Sequence, residues 1–106
     1  MKHYLLLSLA ILSELAGTSA MKLSEGFTRL VPSVIFIIGY GLSFYLLALS
    51  LERIPVSTAY AIWAGVGTAG IAVIGVLAFE ESLSPMGIGG IALIILGVIL
   101  LHLSRG

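Results

Sequence analysis

The stretch "YLLLSLAILSELAGTSAM", residues 4–21, decides the fold class. Every residue in it except Glu14 is uncharged, and most are apolar. Its length is close to the ~20 residues a helix needs to cross a bilayer. In lipid a backbone must satisfy its own N–H and C=O groups, so a run like this is a helix. Three further apolar runs follow, over about residues 33–51, 57–79 and 86–103. The expectation is an all-α integral membrane protein of four transmembrane helices in one domain, residues 1–106.

Composition agrees. The 106 residues are 59% hydrophobic and 9% charged, with a mean hydropathy of +1.20. Soluble domains carry about 25% charged and about 45–50% apolar residues. With no cysteine, disulfides and thiolate metal sites are excluded. His3 and His102 lie near opposite ends, which argues against a metal cluster. Zero net charge gives no sign of a nucleic-acid partner. Lys2, the first run and "GTSA" at 17–20 have the outline of a secretory signal, but a signal core is uncharged and this one contains Glu14.

The breaks between runs carry most of the charge. "KLSEGFTRLVP", "ERIPV" and "EESLSP" end at or near Pro32, Pro55 and Pro85, each suited to an early position of the next helix. Glu25, Glu52, Glu80 and Glu81 fall there and read as solvated charges, with Tyr4 and Phe27 as interface anchors. Four spans put both termini and the second loop on one side, with Lys2, Arg53 and Arg105; Lys22 and Arg29 lie on the other. Orientation follows asymmetry of Lys and Arg, and here there is almost none. Residues 1–51 and 52–106 show no internal repeat. Many transporters use inverted repeats around a midplane site, and a drug-sized cavity of about 300–1,000 Å³ is more than four helices enclose. An antiparallel homodimer answers both points.

Glu14 is the only acid or base well inside a span. A charge there costs at least about 2.5–3.5 kcal/mol by insertion scales. A protonated Glu14 bonded to another helix is one reading. The functional reading is a titratable site for a proton or a cation, since desolvation favours the neutral form and the ionised form attracts cations. In a dimer, paired copies of Glu14 would titrate as a unit. Leu7, Ala10, Gly17 and Thr18 share the face of Glu14 at helical spacing. The small residues among them leave room beside the carboxylate or serve helix packing.

Tyr40 and Ser43 share a face in the second run, and Tyr60 and Trp63 in the third. Deep aromatics suit lipophilic cations, at about 0.5–2 kcal/mol per cation–π contact; plain core packing is the alternative. Gly65, Gly67 and Gly70 allow a bend in the third span. Gly90 and Gly97 lie seven apart in the fourth span, which reads as a dimerisation helix.

The whole chain resembles the small multidrug resistance family of bacterial proton-coupled exporters. The likeness is carried by "AILSELAGT", "MKLSEGFTRL", "IPVSTAYAIWAGVG" and "GGIALIILGV". It implies a multi-pass protein of the bacterial cytoplasmic membrane, driven by the proton-motive force without a cofactor. Glu14 resembles the carboxylate shared by proton and substrate. Tyr40, Ser43, Tyr60 and Trp63 resemble substrate contacts, Gly65 and Gly67 the hinge, and Gly90 and Gly97 the dimer seam. The resemblance implies a self-associated antiparallel dimer in lipid, moving cationic small molecules against protons by alternating access. Ala10, and the absence of a tryptophan soon after Glu14, resemble the quaternary-ammonium branch rather than the guanidinium branch. Val31 stands where the best-known member of that branch has an aromatic, and Tyr45 and Val76 stand where it has tryptophans. A non-transporting subunit of a heterodimer is the third reading, but paired relatives usually have opposite loop charge bias. The sequence offers no nucleophile–base pair, phosphate loop or metal cluster for an enzyme.

Overall fold

A computed structural model describes residues 1–104; Arg105, used above in the charge balance, lies outside them. The described residues form helices α1 (Lys2–Leu23), α2 (Leu30–Ser50), α3 (Val56–Ala78) and α4 (Pro85–Ser104). All are long and apolar enough to span a membrane. The 22 residues of α1 reach about 33 Å at the helical rise of ~1.5 Å per residue, against a hydrocarbon core of about 30 Å.

The helices overrun the apolar runs at most ends. α1 takes in Lys2 and Lys22, whose stems can carry their charge to the interface. α2 starts at Leu30, so Pro32 sits inside its first turn, where its missing N–H breaks no helical bond. Pro55 precedes α3 and Pro85 opens α4.

The chain forms two compact units, Met1–Ile54 and Pro55–Gly106. In the first, α1 and α2 pack as a hairpin. Gly39 meets Gly17 where they cross: a Cβ on Gly39 would lie 3.1 Å from the Gly17 Cα and 3.0 Å from the Ser13 carbonyl oxygen. Small residues allow this close backbone approach. The connecting turn is left-handed at three successive residues, Glu25 (φ 52°), Gly26 (73°) and Phe27 (67°). Only glycine takes this conformation without cost. Buried Ser24 holds the turn: its carbonyl accepts from the N–H groups of Thr28 (2.9 Å) and Arg29 (3.0 Å), and its Oγ accepts from the Phe27 N–H (3.0 Å).

In the second unit α3 packs on α4, with Gly65 facing Val98 so closely that a Cβ would lie 2.9 Å from its Cγ2. The N–H groups of Phe79 and Glu81 both donate to the Gly75 carbonyl (3.1 and 3.0 Å), and Glu80 turns the chain with φ 56°. Ser84 caps α4, its Oγ accepting from the Gly87 N–H (3.1 Å). Removing such a cap costs about 1 kcal/mol, so Ser84→Ala speeds amide exchange in the first turn of α4 about fivefold and leaves α1 unchanged.

None of the described α4 residues is buried. Lipid tails are as apolar as leucine, so such a surface carries no penalty in a bilayer. Glu25, Glu52, Glu80 and Glu81 are all exposed, as expected of loop charges.

Candidate functional site

Glu14 lies near the middle of α1, half-buried. One helical turn on, the Thr18 hydroxyl donates to Glu14 Oε2 at 2.8 Å. The same Thr18 Oγ1 is 2.7 Å from the hydroxyl of Tyr40 on α2. A carboxylate, a threonine and a phenol thus form one chain of hydrogen bonds across the hairpin.

Gly17 makes this possible. A Cβ there would lie 2.6 Å from Tyr40 Cδ1 and 3.0 Å from Cε1. The room left by the missing side chain is therefore filled by the Tyr40 ring, not left open beside Glu14. The ring rests on the α1 backbone and its hydroxyl reaches Thr18. Leu7 and Ala10, on the same side of α1, are buried. Ser43, one turn beyond Tyr40, is fully buried, and its Oγ has no hydrogen-bond partner among the described residues. An unpartnered buried hydroxyl is costly, and Ser43 can donate to or accept from an incoming polar group.

Tyr40 also belongs to a row of rings. Phe36 lies 4.5 Å from it and Phe44 5.8 Å, centroid to centroid, and Phe27 follows at 5.2 Å from Phe36. Phe27 is thus the end of a row of tilted and edge-on ring contacts as well as a loop residue. Phe36 and Phe44 escaped the sequence reading, although their spacing of four from Tyr40 carries the signal. Gly39 escaped as well. Its role depends on which α1 residue it faces, and no spacing within α2 encodes that.

In the second unit, Tyr60 and Trp63 lie one turn apart on α3, Tyr60 75% exposed and Trp63 half-buried. Gly65 and Gly67 follow within the same continuous helix. Gly65 is taken up by Val98, whereas a Cβ on Gly67 would meet only Trp63 of its own helix, at 3.9 Å. Gly90 and Gly97 on α4 have nothing within 4 Å of where a Cβ would stand.

The profile of the Small Multidrug Resistance protein family matches residues 2–94. The chain belongs to the small multidrug resistance family. Multidrug resistance protein EbrA of Bacillus licheniformis is 50% identical over 101 residues, covering 95% of this chain and 96% of that protein. Quaternary ammonium compound-resistance protein QacE of Escherichia coli is 48% identical, covering 97% of this chain and 94% of that protein. Its counterpart QacF of Klebsiella aerogenes is 47% identical, with the same two coverages. Four apolar helices and these relatives make the chain a multi-pass protein of the bacterial cytoplasmic membrane. In this family member the Glu14–Thr18–Tyr40 chain of hydrogen bonds joins α1 to α2.

Proposed function

We propose that this protein is a proton-coupled antiporter that exports lipophilic and quaternary ammonium cations by alternating access. The observation that carries the reading is Glu14, a carboxylate in mid-span whose Oε2 accepts a hydrogen bond from Thr18 in a chain that ends on an aromatic residue. The ionised carboxylate attracts a cation, and a proton on it removes that attraction. Competition for one site couples the two flows without further machinery. A quaternary ammonium group donates no hydrogen bonds, so a fixed charge and aromatic faces are what a site can offer it. Tyr40, Tyr60 and Trp63 supply the faces, and Ser43 a polar contact. Relatives named for resistance to multiple drugs and to quaternary ammonium compounds support this substrate class.

The working unit is an antiparallel homodimer. Near-balanced loop charges support insertion both ways up, and the second copy supplies the inverted repeat that one chain lacks. The bare faces of Gly90 and Gly97 are its seam, and Gly65 and Gly67 let α3 bend as access alternates. The test is uptake into proteoliposomes under a pH gradient. Tetraphenylphosphonium accumulates against the proton flow, and guanidinium moves at least about tenfold more slowly, since it offers donors the site does not need and little surface for aromatic contact. Uptake of guanidinium alone would assign the protein to the other branch.

A further inference from the structure

We infer that Thr18 is a positioning residue that transmits the charge state of Glu14 to the hydroxyl of Tyr40. Proton and cation then exclude each other at two atoms rather than one. The inference rests on the reading of Glu14 as the titrating site.

Thr18 uses its hydroxyl unusually. Ser8, Ser19, Ser33 and Ser50 all donate to a carbonyl three or four residues back, the ordinary fate of a hydroxyl on a helix. Thr18 instead lies between two side chains, 2.8 Å from Glu14 Oε2 and 2.7 Å from the Tyr40 oxygen. A threonine hydroxyl has one proton to donate and two lone pairs, a tyrosine hydroxyl likewise, and an ionised carboxylate can only accept. These capacities set the direction of every bond. With Glu14 ionised, Thr18 must donate to it, and Tyr40 then donates to Thr18. The Tyr40 hydrogen is engaged, so its free lone pair faces outward as a partial negative charge, which suits a cation.

A proton on Glu14 allows the opposite order. The carboxyl O–H donates to Thr18, Thr18 turns its hydrogen to the Tyr40 oxygen, and the Tyr40 hydrogen is released to point outward. That partial positive charge repels a cation. The carboxyl O–H is the only bond made, its proton arriving from water and returning to it; the hydroxyls merely rotate. No other titratable side chain of α1 lies within two turns of Glu14, and of the two tyrosines on α2, Tyr45 is 62% exposed and Tyr40 is the one joined to Thr18. The row of rings from Phe36 to Phe44 and the bare Gly17 hold the Tyr40 ring in place, so rotation of the hydroxyl is its remaining freedom.

The test is tetraphenylphosphonium binding as a function of pH to the purified protein in lipid, for wild type and a set of variants. Thr18→Val keeps the shape and removes the hydroxyl. Its binding midpoint should move up by about one pH unit, a tenfold loss of affinity below the midpoint, because the ionised carboxylate has lost a donor. Thr18→Ser restores the wild-type midpoint. Tyr40→Phe moves the midpoint less, in the same direction, and adds nothing in the Thr18→Val background, because the chain is already cut. Additive shifts, or a Thr18→Ser protein as impaired as Thr18→Val, would overturn the relay. Glu14→Gln keeps the two failures apart. If it binds without pH dependence while Thr18→Val is unshifted, the relay alone is wrong. If it retains the wild-type pH profile, the assignment of Glu14 is wrong and the relay falls with it.

Discussion

Glu14→Gln abolishes cation uptake driven by a pH gradient while leaving the helices intact. Glutamine has nearly the same shape, and its amide oxygen still accepts from Thr18, so the contact between α1 and α2 survives. The charge is lost. A cation about 4 Å from a carboxylate at an effective dielectric constant of 20 gains about 4 kcal/mol. Its removal weakens binding roughly a thousandfold. The variant also cannot take up a proton, so whatever binding remains is independent of pH. On the proposed competition, wild-type binding should fall as the pH is lowered. The measurement is tetraphenylphosphonium uptake into proteoliposomes with an imposed gradient, beside protein-free liposomes. Equal rates for wild type and Glu14→Gln would refute the coupling.

Gly39→Val separates α1 from α2 and weakens both stability and binding. The added Cβ would sit 3.0 Å from the Ser13 carbonyl oxygen, 3.1 Å from the Gly17 Cα and 3.2 Å from the Gly17 nitrogen. All three are backbone atoms, which cannot rotate out of the way as a side chain can. Overpacking of this kind costs about 1–3 kcal/mol. It exceeds the gain from removing a helical glycine, ~1 kcal/mol at most. Tyr40 is the next residue, so the shift that relieves the clash draws its hydroxyl from Thr18, and cation affinity falls with stability. Gly41→Val is the control, since nothing lies within 4 Å of a Cβ there. Unfolding in SDS, followed by the loss of helical circular dichroism, should show Gly39→Val about 2 kcal/mol less stable than Gly41→Val. Equal stabilities would mean that the crossing tolerates the volume.

The contrast between these glycines shows what a linear reading can and cannot reach. In the sequence, Gly39 and Gly41 are equivalent apolar-span glycines on either side of Tyr40. In the fold, one lies against the backbone of α1 at Ser13 and Gly17 and the other has nothing within 4 Å of where a Cβ would stand. Gly17 was legible as a small residue near the carboxylate. Its use, as a seat for the Tyr40 ring, was not, because that depends on the register between α1 and α2. Glu14 needed no structure to stand out, since its cost in lipid depends only on its depth in an apolar run.

The sequence by itself determined the helical membrane class, the four spans to within about three residues at each end, the family, and the carboxylate at the centre of the first span. Each depends on local composition and period, which the chain carries without folding. Tertiary structure decided what the Glu14–Thr18 pair meets. It joined Thr18 to Tyr40 across the hairpin, filled the space over Gly17 with the Tyr40 ring, and left the Ser43 hydroxyl buried without a hydrogen-bond partner among the described residues. The reason is physical. Bilayer thickness and backbone hydrogen bonding dictate where a helix runs, but its rotation and its register against a neighbour come from side chains packing across the crossing.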